Sequence, residues 1–319
     1  MLMVDSVNPL LRKKPEVKNA VTNKHKITHV EELVDKTLCD SVTRDCVERK
    51  CTKCGVEKLM SGIRVEVGDQ LYEVREWKRW EKSERSPKDL VLKSGTVADL
   101  LGFLTEDLQL LSKHVKFAQW QRNQCNNFRD SLPIGHAMCT ADFAENYLCK
   151  FQHEVQSAHW SYHQVTLHPC VFFYRCPVSG CRKNLNDYLV FISNDLKHDS
   201  SICKLIFDKC MSHAESKGIV SLQIFSDGCG SQYKSRLPFY HLTELQGSHT
   251  SLKIGRHFFG SGHGKSLCDS CGGTVKNCAS RAVASGKHVI QSAKDLLNFC
   301  KSELEISPFS CFPFLCTES

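Results

Sequence analysis

Three aspartates stand where predicted strands end, which is where α/β proteins present metal-binding carboxylates. Asp142 follows the β-prone segment 136–141, and Asp227 ends a β-prone run that begins at Val220. Asp269 lies after a later strand, where the chain turns helical. Hard divalent cations prefer carboxylate oxygens, and two such ions about 4 Å apart can stabilise both the attacking and the leaving oxygen of a phosphoryl transfer. The alternative for Asp227 is an ordinary turn, since Asp and Gly are common turn residues.

The order of the predicted elements decides whether these acids can meet. Five β-prone segments are predicted strands: 136–141, 164–174, 188–193, 220–226 and 252–259. The first three can form an antiparallel meander, and each of the last two follows a helical segment. In that topology the first and fourth strands are neighbours, so Asp142 and Asp227 would lie side by side. Two such carboxylates without a partner repel each other and one pKa rises, a conflict that a bound metal ion removes.

Four motifs along these elements support the same interpretation: ADFAENY (141–147), HWSYHQVTLHP (159–169), FSDGCGSQYKSR (225–236) and HFFGSGHGKSLCDSCGGTVKN (257–277). As a set they resemble transposon-derived, DDE-type transposase-like proteins of animal genomes, over about residues 39 to 285. The resemblance implies an RNase H-like domain that cleaves and joins DNA strands with Mg²⁺ or Mn²⁺. It implies that Asp142 and Asp227 are the first two acids of the catalytic site.

The third acid is open at this level. Asp269 fits the position after the fifth strand and completes the predicted catalytic and metal-binding set, while Glu303 and Glu305 are alternatives. Glu145 and Asn146 follow Asp142 closely, so they either support the metal ligands or are turn residues.

The glycine-rich segment after the fifth strand predicts contacts to phosphate. We expect His263 and Lys265, together with Lys234, to bind the substrate. The same segment partly matches a phosphate-binding loop of nucleotide hydrolases, but Phe259 stands where that motif needs its first glycine. A nucleotide hydrolase is therefore the less favoured alternative.

The 19 cysteines and the absence of a secretion signal predict a reducing compartment, in which cysteines are buried thiols or metal ligands. Cys39, Cys46, Cys51 and Cys54 lie in a polar segment that ends in a Cys-x-x-Cys-Gly pair. Four soft ligands at such spacing favour a structural Zn²⁺ site over unligated thiols.

Two further groups are weaker zinc candidates. His257, His263, Cys268 and Cys271 form one, and Cys176 with Cys181 forms the other. The alternative for Cys268 and Cys271 is that both thiols pack against the sheet.

The fold class predicted from these observations is α/β, an RNase H-like mixed five-stranded sheet flanked by helices behind a small N-terminal zinc-binding module. Five regions follow: a flexible basic arm (1–30), a four-cysteine zinc module (31–60), a hairpin and helical linker region (61–132), the catalytic domain (133–306) and an irregular tail (307–319). The linker region is predicted to hold a hairpin around Gly68 and two helices, 94–113 and 117–129. Its Trp77 and Trp80 either contact nucleic acid or are half-buried packing residues.

The composition is that of an ordinary globular protein, with 41% hydrophobic and 24% charged residues. The net charge of +7 is compatible with a polyanionic partner. No apolar run reaches membrane-spanning length. The lack of such a run predicts no membrane partner. The resemblance implies DNA as the partner and, with it, a nuclear location, and a homo-oligomer is a further expectation. The alternative to an active transposase-like enzyme is a domesticated descendant that binds DNA or protein without catalysis.

Overall fold

A computed structural model describes residues 29–82, 89–150, 162–177, 181, 183–260, 267–304 and 309–313. The chain divides into two compact units, Met1–Gln119 and Trp120–Ser319. Among the described residues, no helix combines the length and the apolar character needed to cross a membrane.

The first unit is mainly helical. Its elements are α1 (Val30–Lys36), α2 (Arg44–Val47), α3 (Val56–Val67), a 3-10 turn (Gly68–Tyr72), β1 (Val74–Glu81), β2 (Asp89–Thr96) and the first part of α4 (Val97–Asp130). Strands β1 and β2 pair antiparallel. The core lies between the helices and includes Leu33, Met60, Leu100 and Leu104.

Two predictions for this region are wrong. The hairpin around Gly68 is instead the end of helix α3: Ile63 and Val67, four residues apart, are buried on one helical face, while Val65 is 82% exposed. The two predicted helices are one continuous helix, α4, because no glycine or proline interrupts the polar stretch between them. Trp77 is 3% exposed and belongs to the core, so the packing alternative holds for it.

The second unit contains a mixed sheet flanked by helices. Its elements are the last part of α4, β3 (His136–Ala141), β4 (Tyr147–Leu148), β5 (Gln164–Arg175), β6 (Asn184–Ser193), α5 (Ser200–Ser216), β7 (Ser221–Ser226), α6 (Arg236–Ser248), β8 (Lys253–Phe258), α7 (Leu267–Ala284), α8 (Ala293–Glu303) and β9 (Phe309–Pro313). Asp199 begins α5 as its N-cap, where its carboxylate accepts hydrogen bonds from the backbone N–H groups of Ser201 and Ile202.

The sheet has the order β8-β7-β3-β5-β6-β9, and β4 pairs with β5. Strands β3, β5 and β6 form the predicted antiparallel meander, while β7 and β8 extend it in parallel on the side of β3. The predicted adjacency of the first and fourth strands is therefore confirmed.

The predicted count of five strands is wrong, since the sheet has seven. The short strand β4 was overlooked, and β9 lies in the tail that was predicted to be irregular. Strand β9 pairs in parallel with β6 and forms the edge of the sheet, where a proline such as Pro313 is tolerated.

Hydrophobic clusters cover both faces of this sheet. On one face, α5 buries Ile206 and Met211 against strand residues that include Phe172. On the other face, α7 and α8 pack against β5 and β6, and the end of α4 packs around Met138. The strand ends that carry the aspartates lie at one edge of this layered core.

Candidate functional site

Asp142 and Asp227 each come directly after neighbouring parallel strands. In the pairing of β3 with β7, Thr140 lies opposite Phe225. The same offset sets Asp142 opposite Asp227, and parallel strands end at the same edge of a sheet. The backbone N–H of Asp142 also donates to the Pro169 carbonyl of β5 at 3.3 Å, which fixes the first residue beyond β3.

The pKa of Asp142 depends on the neighbouring acids. Burial, and after it the negative charges of Asp227 and Asp269, together raise the pKa of the Asp142 carboxyl to about 6. The two causes differ in origin: burial disfavours any charge, whereas the acids oppose a second negative charge. The structure therefore brings both Asp227 and Asp269 within interaction range of Asp142.

The turn after β7 holds Asp227 in place. The backbone N–H of Cys229 donates to the Asp227 carboxylate at 3.0 Å, and the N–H groups of Tyr233 and Lys234 both donate to the Cys229 carbonyl, at 2.8 Å and 3.0 Å. Asp227 is thus a turn residue, as the alternative interpretation had it, and it is also a neighbour of Asp142. The turn uses one carboxylate oxygen in this hydrogen bond.

Asp269 lies in the first turn of α7, where the helix dipole favours a negative charge. The preceding residue ties this turn to the sheet, because the Cys268 thiol donates to the Thr140 carbonyl of β3 at 3.2 Å. Thr140 is two residues before Asp142, so a single contact links the elements that carry both acids.

Close packing one turn further along α7 fixes its distance from the sheet. A Cβ at Gly272 would lie 2.7 Å from the Ala144 side chain and 3.4 Å from that of Pro169. Only a residue without a side chain allows α7 to approach the segment after β3 this closely. The position of Asp269 relative to Asp142 therefore depends on a glycine.

Glu303, one alternative for the third acid, ends α8, and its carboxylate lies 3.4 Å from the His288 Nε2. Glu305, the other alternative, lies outside the described residues. Of the two described candidates, Asp269 is the one whose charge acts on Asp142.

A buried His–Tyr pair lies beneath the aspartates. The His168 imidazole and the Tyr233 hydroxyl share a hydrogen bond of 2.9 Å, and both side chains are fully buried. Burial lowers the pKa of His168 to about 3, so its ring is neutral at physiological pH. Burial raises the pKa of Tyr233, with smaller contributions from nearby groups that include Asp142 and Asp227. Sequence reasoning did not find this pair, since 65 residues separate its members.

The predicted substrate-binding residues have different outcomes. Lys234 is exposed, and its ammonium lies 5.2 Å from the centre of the Phe258 ring. His263 and Lys265 lie outside the described residues, as does most of the segment that resembles a phosphate-binding loop.

The two residues predicted to support the acids serve other contacts. Glu145 is exposed and pairs with Lys276 at 3.4 Å. Asn146 binds Gln164 and His198 through its side-chain amide, at 3.0 Å and 3.2 Å.

The four N-terminal cysteines come together in the first unit. The sulfurs of Cys39, Cys46, Cys51 and Cys54 all lie within 4.8 Å of one another. The Thr43 side chain and backbone lower the pKa of Cys46 to about 6 through hydrogen bonds, which favours the thiolate that metal binding requires. A four-sulfur group of this kind is compatible with a structural Zn²⁺ ion.

The backbone of this loop needs two unusual conformations. Arg49 has φ 60° and Gly55 has φ 148°. The Arg49 guanidinium donates to the carbonyls of Thr37 and Leu108, each at 3.1 Å, which holds the loop against α1 and α4. The cysteine group is therefore anchored to the helical core and not only to its own loop.

The second predicted zinc group does not assemble among its described members. Cys268 binds the Thr140 carbonyl, and Cys271 packs in the apolar cluster around Val275. The His257 ring stacks on Phe225 at 4.5 Å. The alternative, that these thiols pack against the sheet, accounts for both cysteines.

Two other groups of cysteines lie close together in the described part of the chain. Hydrogen bonds to the Lys183 backbone and the Cys176 thiol lower the pKa of Cys181, so these two predicted partners do interact. Sequence reasoning missed a fully buried trio, Cys139, Cys170 and Cys210, whose sulfurs lie within 4.8 Å of one another. These three thiols lie in the apolar cluster between α5 and the sheet.

Comparison with known proteins gives two family matches. A model described as domain of unknown function DUF8701 matches residues 121–313, and one described as domain of unknown function DUF8700 matches residues 2–112. No curated protein and no solved structure matches the chain.

Proposed function

The chain belongs to the DUF8701 family, and from its three aspartates we propose that it is a transposase-like enzyme that cleaves and joins DNA strands with the help of divalent metal ions. The observation that carries this proposal is the position of Asp142 and Asp227 at the ends of the paired strands β3 and β7, with Asp269 near enough for its charge to raise the pKa of Asp142. A protein gains no stability from like charges held together in this way. Such clusters persist where a cation or a reaction requires them.

The topology of the sheet supports an RNase H-like catalytic domain. An antiparallel meander of three strands is extended in parallel by β7 and β8, with helices between these later strands. This order sets the ends of β3 and β7 side by side, as two-metal chemistry needs. The nuclear location expected from the sequence follows from a DNA substrate.

Each residue of the proposed site has a role that follows from its position. Asp142, Asp227 and Asp269 would hold Mg²⁺ or Mn²⁺, which are oxygen-seeking ions that suit three carboxylates. Such ions activate a water or 3′-hydroxyl and stabilise the leaving oxygen of a phosphodiester. The turn amide of Cys229 orients the Asp227 carboxylate, and the contact of Cys268 with Thr140 holds Asp269 near the sheet.

Metal-dependent cleavage of a supercoiled plasmid tests the proposal. The wild-type chain is expected to nick the plasmid with Mn²⁺ and to lose this activity in EDTA. Asp227→Ala should lower the rate of plasmid cleavage at least about a hundredfold, because a metal ligand is lost. Asp130→Ala is the matched control, since Asp130 is an exposed carboxylate in the same unit and is paired with Arg129.

The proposal is contradicted if the folded wild-type chain cleaves neither plasmid nor short duplexes with any divalent ion, because catalysis is then absent. Retained DNA or protein binding would then identify the chain as a non-catalytic descendant.

A further inference from the structure

A cleft of about 480 Å³ opens within the second unit, beside the ends of β7 and β8. Its walls carry aromatic rings from both sides: Trp120 and Phe128 belong to α4, and Phe225 and Phe259 belong to the sheet side. Its volume falls in the range of about 300 to 1,000 Å³ that is usual for small-molecule sites. Phe128 and Phe225 contact each other across the cleft, with ring centres 6.4 Å apart. A flat, aromatic ligand would therefore stack beside this pair, against the 58%-exposed Trp120.

The sheet side of this cleft is held in a fixed arrangement. The His257 ring stacks on Phe225 with 18° between their planes, and its Nε2 shares a hydrogen bond of 2.8 Å with the Gln223 amide. The Gln223 side chain crosses over Gly255, where any Cβ would overlap it. Gly255 therefore lets the Gln223 amide reach the His257 imidazole and hold that ring against Phe225.

Polar groups stand among these rings. The Gln121 amide donates to the Phe258 carbonyl at 3.0 Å, while its Oε1 is buried and has no hydrogen-bond partner in the described part of the chain. Gln124 and Lys234 also line the cleft. A ligand with N–H groups on its edge could satisfy such an acceptor, and a cation at the cleft suits an anionic backbone.

Two residues of the cleft connect it to the strand that leads to Asp227, although none of the three aspartates lines it. Phe225 is two residues before Asp227, and the backbone N–H of Phe259 donates to the Ser226 carbonyl at 2.9 Å. A ligand in the cleft would therefore contact the end of β7, one residue before Asp227.

We propose that this cleft receives an unpaired nucleobase of the nucleic-acid strand that reaches the aspartates. The inference rests on the proposed function, which supplies the strand. Every base has a flat face for stacking and a polar edge, which are the two features that the cleft offers. In a blunt duplex the base faces are covered by their neighbours, and a base must leave the stack before it can enter. The cleft therefore favours single-stranded or frayed DNA over paired DNA.

Binding measured without catalysis tests the inference. The full chain is titrated without added Mg²⁺ or Mn²⁺ against a fluorescently labelled single-stranded oligonucleotide and against the same sequence as a blunt duplex. Trp120→Ala should weaken single-strand binding about tenfold and leave duplex binding nearly unchanged, because it removes one stacking surface. Trp120→Phe keeps an aromatic face and should retain most of the affinity.

Tyr72 supplies the matched control. It is 80% exposed, against 58% for Trp120, and it ends the 3-10 turn of the first unit. Tyr72→Ala should leave the affinity for both oligonucleotides unchanged. Equal losses for the single strand and the duplex in Trp120→Ala, or no loss in either, would overturn the inference. So would Trp120-dependent binding of an apolar peptide together with unchanged oligonucleotide binding.

The two proposals fail in different experiments. Single-strand binding that depends on Trp120, without Asp227-dependent cleavage on any substrate, retains the nucleobase cleft and refutes the enzyme. Asp227-dependent cleavage with Trp120-independent binding retains the enzyme and refutes the cleft. The melting temperature of each variant separates a local loss of stacking from a loss of the fold.

Discussion

At the scale of single residues, Asp142 is where stability and function conflict. Its pKa is raised from 3.8 to about 6, so the folded chain without metal favours the protonated carboxyl. The stabilisation that this provides is fully present below about pH 4 and is lost as the pH rises through about 6. A shift of this size corresponds to about 3 kcal/mol, which partial exposure of the carboxyl reduces to on the order of 1–2 kcal/mol.

Asp142→Asn is therefore expected to stabilise the metal-free chain. Without added Mg²⁺ or Mn²⁺ at neutral pH the free energy of unfolding should rise by about 1–2 kcal/mol, because the substitution removes a charge that burial, and after it the neighbouring acids, disfavour. At about pH 4 the variant and the wild type should unfold alike. Urea unfolding at the two pH values measures both. Asp69→Asn, at an exposed position of the 3-10 turn, is the control and should change neither value.

Divalent ions should make the wild type more stable than Asp142→Asn. With Mn²⁺ the wild type gains stability from binding, and the Asn variant gains little because a ligand is missing. If Asp142→Asn instead destabilises the chain at neutral pH without added Mg²⁺ or Mn²⁺, the carboxylate has a stabilising partner and the argument from burial and repulsion is wrong.

Residue positions were predictable only where local sequence determines them. Asp142 and Asp227 could be predicted, since each directly follows an apolar run and the order of strands makes those runs neighbours. The burial that raises the pKa of Asp142 arises from tertiary packing, which no local pattern shows. The pairing of His168 with Tyr233 joins a strand to a distant turn, so neither residue carries a local signal of it.

At the scale of elements, the approach of α7 to the sheet is set by Gly272. Gly272→Ala should lower the free energy of unfolding by about 1–3 kcal/mol, since the new methyl group would lie 2.7 Å from the Ala144 side chain. It should also weaken Mn²⁺ binding, because Asp269 one turn earlier moves away from Asp142. Urea unfolding and a metal titration monitored by melting temperature measure the two effects.

Gly273 is the matched control for this helix. A Cβ at Gly273 meets nothing within 4 Å, so Gly273→Ala should stabilise the chain by about 0.5–1 kcal/mol through helix propensity. Equal behaviour of the two variants would mean that α7 does not depend on close contact at Gly272, and would refute the argument for how Asp269 is positioned.

Periodicity explains which elements were predicted correctly. The strands β5, β6 and β7 were found because each combines a β-rich apolar run with nearby turn residues. The secondary structure of the α3 segment was predicted wrongly. Ile63, Val65 and Val67 fit a strand by alternation, while Ile63 and Val67 fit a helix by their spacing of four. Strand β9 could not be predicted because it forms by pairing along β6, which lies more than a hundred residues earlier in the chain.

At the scale of the whole molecule, the sequence predicted a zinc module ahead of a catalytic domain. The structure divides the chain between Gln119 and Trp120, inside the continuous helix α4. A boundary inside a helix leaves no glycine, proline or change of composition to reveal it. The cysteine group was predictable for the opposite reason, since its four members lie within 16 residues of sequence, from Cys39 to Cys54.

A zinc ion held by the four cysteines would stabilise the first unit, so its removal should act there. Three of the four cysteines pack at the edge of its core and Cys46 lies within it, so loss of the ion leaves sulfurs that repel or oxidise beside Leu38 and Val56. Cys46→Ser should lower the zinc content from one ion per chain to near zero and reduce the helical circular dichroism signal. Cys278→Ser, a partly buried thiol of α7 outside the group, should keep the full zinc content.

The fragment pattern after limited proteolysis decides how far this loss extends. The clusters around the mixed sheet consist of residues after Trp120, so a protease should remove the N-terminal part of Cys46→Ser and spare the sheet. Asp227-dependent plasmid cleavage, measured on the same preparation, would show whether the aspartate site survives without zinc. A wild-type chain that contains no zinc and keeps its full helical signal would refute the structural role of the four cysteines.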